Sequence, residues 1–242
     1  MAIRLLPFRD YDEHDVVNLF KSAGALSKFI DLSDATKRST PEGDAGVFVK
    51  VLAGTLSTSS TDWDPIDVDS SAASLLGKTD YPHVGRNLYP QANLSVTPTN
   101  AVDDECIGIT LRQTVTRDEN GENLLYNPIK KDELYGVLPG EAVPVLSKGM
   151  VTLTEDAFDL VTNATPAVGE VLWASAVGTT VALGQVVSGT RAAAVTAGAK
   201  ILGSILAIGY RDDETGAAGG TNVFGNAALQ KGAYYIVKID CA

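Results

Sequence analysis

The sequence is poor in the side chains that enzymes most often use to move protons or hold metals. It carries two histidines and two cysteines among 242 residues. His14 lies among Asp12, Glu13 and Asp15, where a general base would still need a nucleophile held beside it. A solvated acidic cluster is the better reading. His83 follows Tyr81 and Pro82 and reads as a loop or interface residue. No G-x-S-x-G elbow is present, and neither cysteine sits in a recognisable nucleophile motif. Cys106 and Cys241 have no metal-ligand spacing. A disulfide between them cannot be inferred from sequence, and two buried or half-buried free thiols are the simpler reading.

Positive charge is also short, with 19 Lys+Arg against 30 Asp+Glu and a net charge of −11. Such a surface repels phosphate backbones and argues against nucleic-acid binding. It suits solubility at high local concentration, or docking onto a basic surface. Long apolar runs are missing too. Residues 192–209 are nearly charge-free but include Thr196, Lys200 and Ser204, and a membrane helix needs about 20 apolar residues. Two buried strands around a Gly198-Ala199 turn are expected there. Pro7 and a run of acids interrupt the N-terminal apolar residues, so no signal peptide is expected. The expectation is a soluble chain that meets no membrane.

Aromatic residues make up only 7%, which weakens a carbohydrate-binding reading. Trp63, Trp173, Tyr81 and Tyr89 are the available stacking platforms, and Trp173 lies in a strand-like run where core packing is the default. The acids Asp62, Asp64, Asp67 and Asp69 fail the calcium-loop test. Pro65 and Ile66 occupy the fourth and fifth positions, and Asp67 stands where glycine is needed. Gly216 to Thr221 has glycines but no phosphate-binding lysine. No catalytic, metal or cofactor-binding residues are therefore assigned, and the chain reads as a non-enzyme.

What is present is apolar alternation broken by glycine. Hydrophobic residues reach 45% and glycines number 23, enough for a packed core with many turns. Asp12 to Gly24 can be a short helix with Val16, Leu19, Phe20 and Ala23 on one face, or an extended segment lying on a neighbour. Ser33 to Gly46 is polar and reads as a loop. From Gly46, Val47, Val49 and Val51 alternate with Phe48, Lys50 and Leu52, a strand buried on at least one side. A long polar excursion follows. Ile107 to Val115 alternates again, and Asn120-Gly121 supplies a tight turn with Glu122 to Tyr126 returning. Past Val137-Leu138-Pro139-Gly140, strands are expected at Ala142–Leu146, Met150–Thr154, Val171–Ala174, Thr179–Leu183, Ile201–Tyr210 and Ala233–Ile239. The expected fold is all-β, with an N-terminal arm over 1–42 and a β region with a long surface loop over 43–138. A C-terminal small β-barrel or sandwich over 139–242 completes it.

The phrase Tyr11-Asp12-Glu13-His14-Asp15-Val16-Val17-Asn18-Leu19-Phe20, followed by Gly46-Val47-Phe48-Val49-Lys50-Val51, resembles the opening of tailed-bacteriophage head decoration (cement) proteins. Gly140 to Val145 and Leu146 to Val151 are similar to the small β-barrel modules of capsid-stabilising proteins. These motifs specify packing rather than chemistry. The resemblance implies a virion protein on the capsid surface, present in the host cytoplasm during assembly. It also implies a homotrimer whose partner is the major capsid protein, with Tyr11, Val16, Val17, Leu19 and Phe20 as contact residues. A tail-tube, connector or fibre-base protein is the alternative within the virion, and a carbohydrate-binding β module the alternative outside it.

Overall fold

Strict alternation produces the most regular strand. In Ala233–Asp240, Ala233, Tyr235, Val237 and Ile239 are buried while Tyr234, Ile236, Lys238 and Asp240 are not, as the two-residue period of a strand with one covered face requires. The computed structural model describes residues 4–22, 44–54, 94–115, 117–118, 120–138, 141–163, 165–176, 183–210 and 233–241. Within them the fold is all-β, with two short helices, Pro128–Glu133 and Arg191–Thr196.

The strands are β1 (Leu5–Asp10), β2 (Val16–Val17), β3 (Lys21–Ser22), β4 (Phe48–Gly54), β5 (Leu94–Pro98), β6 (Cys106–Thr110) and β7 (Gln113–Thr114). They continue as β8 (Gly136–Val137), β9 (Val145–Leu146), β10 (Lys148–Thr154), β11 (Val171–Ala174), β12 (Val186–Gly189), β13 (Gly203–Tyr210) and β14 (Ala233–Asp240). One six-stranded sheet has the order β1-β10-β14-β13-β11-β12, a second has β2-β9-β6-β4-β5-β3, and β7 pairs with β8 in parallel. Neither large sheet closes on itself, so no barrel is formed among the described residues. Within each, the strands at the two ends of the order do not pair.

The sheets share strands through a crossing. The run from Val145 to Thr154 lies in the second sheet as β9 and in the first as β10, changing sheets at Ser147. Its neighbour changes sheets beside it. β1 pairs antiparallel with β10, β2 pairs antiparallel with β9, and a 3-10 turn at Glu13–Asp15 joins them. Asp12 caps that turn by accepting from the His14 amide at 2.9 Å. At the crossing, the Ser147 amide and hydroxyl both donate to the Asp15 carbonyl at 2.9 Å, and the Ser147 carbonyl accepts from the Cys241 amide at 3.0 Å. Gly149 admits the crossing chain, because a Cβ there would sit 2.6 Å from the Cβ of Tyr11.

The largest buried cluster draws on both sheets. Phe48, Ile109 and Leu146 from the second meet Leu5, Val151, Leu153, Leu172, Ile205, Tyr235, Val237 and Ile239 from the first. Each such side chain contributes about 1.5–3 kcal/mol when fully buried. The start of β4 is covered on both faces, since Phe48 enters this cluster while Val47 and Val49 join Val96, Val137, Val143 and Val145 in another. Gly184, at φ +69, lets its carbonyl accept from the Phe48 amide at 3.2 Å and from the buried Arg4 guanidinium at 3.2 Å. Leu183 accepts from the same guanidinium at 3.1 Å.

Several expectations are corrected. Residues 12–22 do not form the helix that Asp12–Gly24 could have been. They form the 3-10 turn and strands β2 and β3, because pairing with β9 and β5 satisfies their backbone. The segment is extended, and it lies on this chain's own sheets. Residues 4–22, assigned by sequence to an arm, thus contribute strands to both sheets, and β9 joins β6 across the boundary expected near residue 138. The hairpin after Ile107 breaks at Leu111-Arg112, and its turn makes one antiparallel bridge, Arg117 to Asn123, before a 3-10 turn at Leu124–Tyr126. The segment after the break pairs with β8 instead. Residues 191–196 form a helix rather than a strand. Thr190 caps it by accepting from the Ala193 amide at 3.3 Å, the alanine run favours helix, and Gly198 at φ +68 ends it. Of the strand expected at Thr179–Leu183, residues 179–182 lie outside the described residues, and Leu183 is in a turn.

Asp159 holds the turn between β10 and β11 and is nearly buried, at 3% exposure. Burial pushes its carboxyl upward. Hydrogen bonds from the Ser175 hydroxyl, the Thr162 hydroxyl and the Thr162 and Val161 amides outweigh that and hold it below the usual carboxylate range. A depressed folded-state pKa means its stabilisation is present above the ordinary Asp value and disappears as pH falls through the folded value. Melting temperature should therefore drop on acidification below about pH 4, and Asp159→Asn should flatten that acid limb while lowering stability at pH 7. An unchanged acid limb in the variant would contradict this role for Asp159.

Candidate functional site

A broad groove lies beside the crossing. An open cavity of about 820 Å3 runs between residues 4–11 on one wall and Leu111–Gln113 with Leu134–Tyr135 on the other. It adjoins a second of about 550 Å3 reaching Glu13, Val16 and Pro144. The two share Arg9, Tyr11, Leu111, Arg112 and Tyr135.

The second wall is built by a local sequence device. Asn127 caps the helix Pro128–Glu133 by accepting from the Lys130 amide at 3.2 Å, and Pro128 fills the first turn, where no amide partner is needed. After Leu134 the chain must turn sharply to enter β8. It does so at Tyr135, with φ +52, the one non-glycine residue with positive φ among those described. That conformation costs on the order of 1 kcal/mol for a residue with a Cβ, and bonds on each side hold it. The Tyr135 amide donates to the Asp132 carbonyl at 3.0 Å, and the Gln113 side-chain amide donates to the Leu134 carbonyl. Tyr135 is 70% exposed, and the Arg112 guanidinium stands over its ring at 5.5 Å. Below it, Lys131 contacts the Glu141 carboxylate at 3.0 Å, and Glu141 also accepts from the Leu138 amide at 2.9 Å. This buried pair staples the helix to the segment that follows β8.

Of the residues assigned to capsid contact, Tyr11 and Val16 line the groove. Tyr11 and Leu19 are 37% and 43% exposed. Val17 is half-buried. Phe20 turns inward against the valine cluster, and its carbonyl accepts from the Val143 amide at 2.9 Å. Phe8, at 64% exposure, adds a further apolar side chain on β1. Arg9, Arg112 and Tyr135 were not singled out by sequence. The Asn127-Pro128 pair is a helix-start signal that the sequence reading left unused, and nothing local signals that β1 lies opposite.

Trp173 is buried in β11 against Val171, Val187 and Ala194, so it offers no stacking face. Trp63, Tyr81, Tyr89, His83, the acids Asp62 to Asp69 and the Gly216–Thr221 loop lie outside the described residues. Among the described residues no three His, Cys, Asp or Glu side chains gather as metal ligands, and no helix is long and apolar enough to cross a membrane.

Glu141→Ala should lower unfolding free energy by about 3 kcal/mol, since it leaves the Lys131 ammonium uncompensated in a largely buried place. Denaturant unfolding measures it, and a change below about 0.5 kcal/mol, as for a surface pair, would show that the staple does not hold this wall. No family model, curated protein or solved structure matches the chain.

Proposed function

We propose that this chain is a structural, non-enzymatic virion protein that binds the outer surface of an assembled phage capsid and bridges major capsid subunits. The reading rests on the resemblance of residues 11–20 and 46–51 to head decoration proteins. The observation that carries it is the groove. It presents Tyr11 beside β1 and Arg112 and Tyr135 beside the β7-β8 pair, and exposed aromatic and arginine side chains on a rigid frame are what protein-binding hot spots consist of. The groove sets Arg9 and Arg112 beside Asp10 and Glu13, which suits a partner surface of mixed charge rather than a uniformly acidic or basic one.

The physical logic is linkage. A protein that binds only the assembled lattice stabilises it by its binding free energy. As a homotrimer it would engage several subunits at once, and multivalency would turn modest contacts into slow dissociation. No nucleic acid, membrane or cofactor enters this role.

Disrupting virions into heads and tails and sedimenting each fraction tests it. The protein is expected on heads and absent from tails. Changing Tyr11 and Tyr135 together to Ala should reduce head occupancy at least tenfold, about 1.4 kcal/mol, with the fold retained. Rings or tubes of the purified protein, or its recovery with tails alone, would favour a tail-tube, connector or fibre-base role and overturn the capsid assignment.

A further inference from the structure

The two thiols lie in one place, although 134 residues of chain separate them. On one flank of the run Val145–Thr154, β6 is the neighbour of β9 and β14 is the neighbour of β10. β6 and β14 therefore meet at Ser147. Gly108 is packed so closely there that an added Cβ would come within 2.1 Å of the Leu146 carbonyl oxygen. Cys106, two residues earlier on β6, turns its Sγ to the Gly108 carbonyl at 3.3 Å. Cys241, the first residue after β14, is held by its amide bond to Ser147 at 3.0 Å, and its Sγ faces the Leu202 carbonyl at 3.9 Å. Both side chains pack in the cluster shared by the two sheets, and both are free thiols.

We propose that Cys106 and Cys241 form a redox-closable cross-link that ties β6 of one sheet to the end of β14 of the other. Its co-reactant is a small-molecule disulfide. The thiolate of Cys241 attacks one sulfur of that disulfide, forming a mixed disulfide and releasing one small thiol. Cys106, as thiolate, then attacks the Cys241 sulfur, forming the protein disulfide and releasing the second small thiol. Two protein thiols are oxidised, one small disulfide is reduced to two thiols, and their protons pass to these products.

The hydrogen bond with Cys106, and then burial, push the Cys241 thiol far above its ordinary value. Thiolate is therefore scarce in the closed fold, and exchange proceeds when the end of β14 opens locally. The folded protein is then slow to oxidise, and oxidation is fast during folding. The cross-link fixes the point where the sheets part, and it does not depend on the capsid reading.

The test uses the full chain in two arms. In one the native protein is incubated with oxidised glutathione, and in the other it is refolded from denaturant in a glutathione redox buffer. In the refolding arm the expected product has lost two hydrogens in intact mass and yields a peptide joining Cys106 to Cys241. Its melting temperature should rise by roughly 10 °C, as expected for closing a long loop, and dithiothreitol should reverse the rise. Cys106→Ser should instead carry a single glutathione on Cys241. Two free thiols, or a persistent glutathione adduct on the unaltered sequence after refolding, would overturn the proposal. Complete oxidation of the native protein within minutes would overturn the local-opening step.

Discussion

Everything in this fold depends on two chain segments changing sheets side by side. At Ser147 one strand leaves the second sheet for the first. At Asp15 its antiparallel partner passes from the first sheet to the second, and the two are joined through the Asp15 carbonyl across 132 residues of sequence. Each of these hydrogen bonds contributes only about 1 kcal/mol. The shared apolar cluster, with several residues at about 1.5–3 kcal/mol each, supplies far more. The crossing nevertheless decides which strands can share that cluster. Without it, Leu5 and Leu146 would lie in unrelated sheets and the core would be two smaller ones.

The same constraint places the groove. Residues 8–19 carry Phe8 on β1, Tyr11 on the link between β1 and the 3-10 turn and Leu19 after β2, so exposed apolar side chains sit on backbone fixed at both ends. The opposite wall is rigid for a different reason. A strained tyrosine is held between a capped helix and a parallel strand pair, with a buried Lys131–Glu141 contact beneath. A binding surface built in this way loses little conformational entropy on docking, which favours affinity from a modest area. For a protein proposed to clamp a lattice, preorganisation of this kind is the relevant property.

Sequence reading succeeded where one local period decides the outcome. β14, β11 and β4 alternate or run apolar, and they form close to where that pattern places them. It failed where two local patterns compete. Residues 191–196 are apolar and charge-poor, but alanines behind a threonine cap favour helix over strand. It had no access to long-range pairing. Nothing in Leu5–Asp10 announces that its partner is Lys148–Thr154, and without that pairing the groove has one wall. Tyr11 and Val16 were picked out by a motif likeness, and in the structure Arg112 and Tyr135 line the same groove. The positive φ of Tyr135 was illegible because tyrosine gives no hint of it.

The central claim is that residues 8–19 are part of the folded frame before any partner arrives. Native-state amide hydrogen exchange of the isolated protein measures this directly. The amides of Asp15, Val16 and Ser147 should exchange with opening free energies close to those of Val151 and Val237 in the middle of the first sheet. Exchange of Val16 and Ser147 at the rate of an unstructured peptide, with Val151 and Val237 still protected, would contradict it.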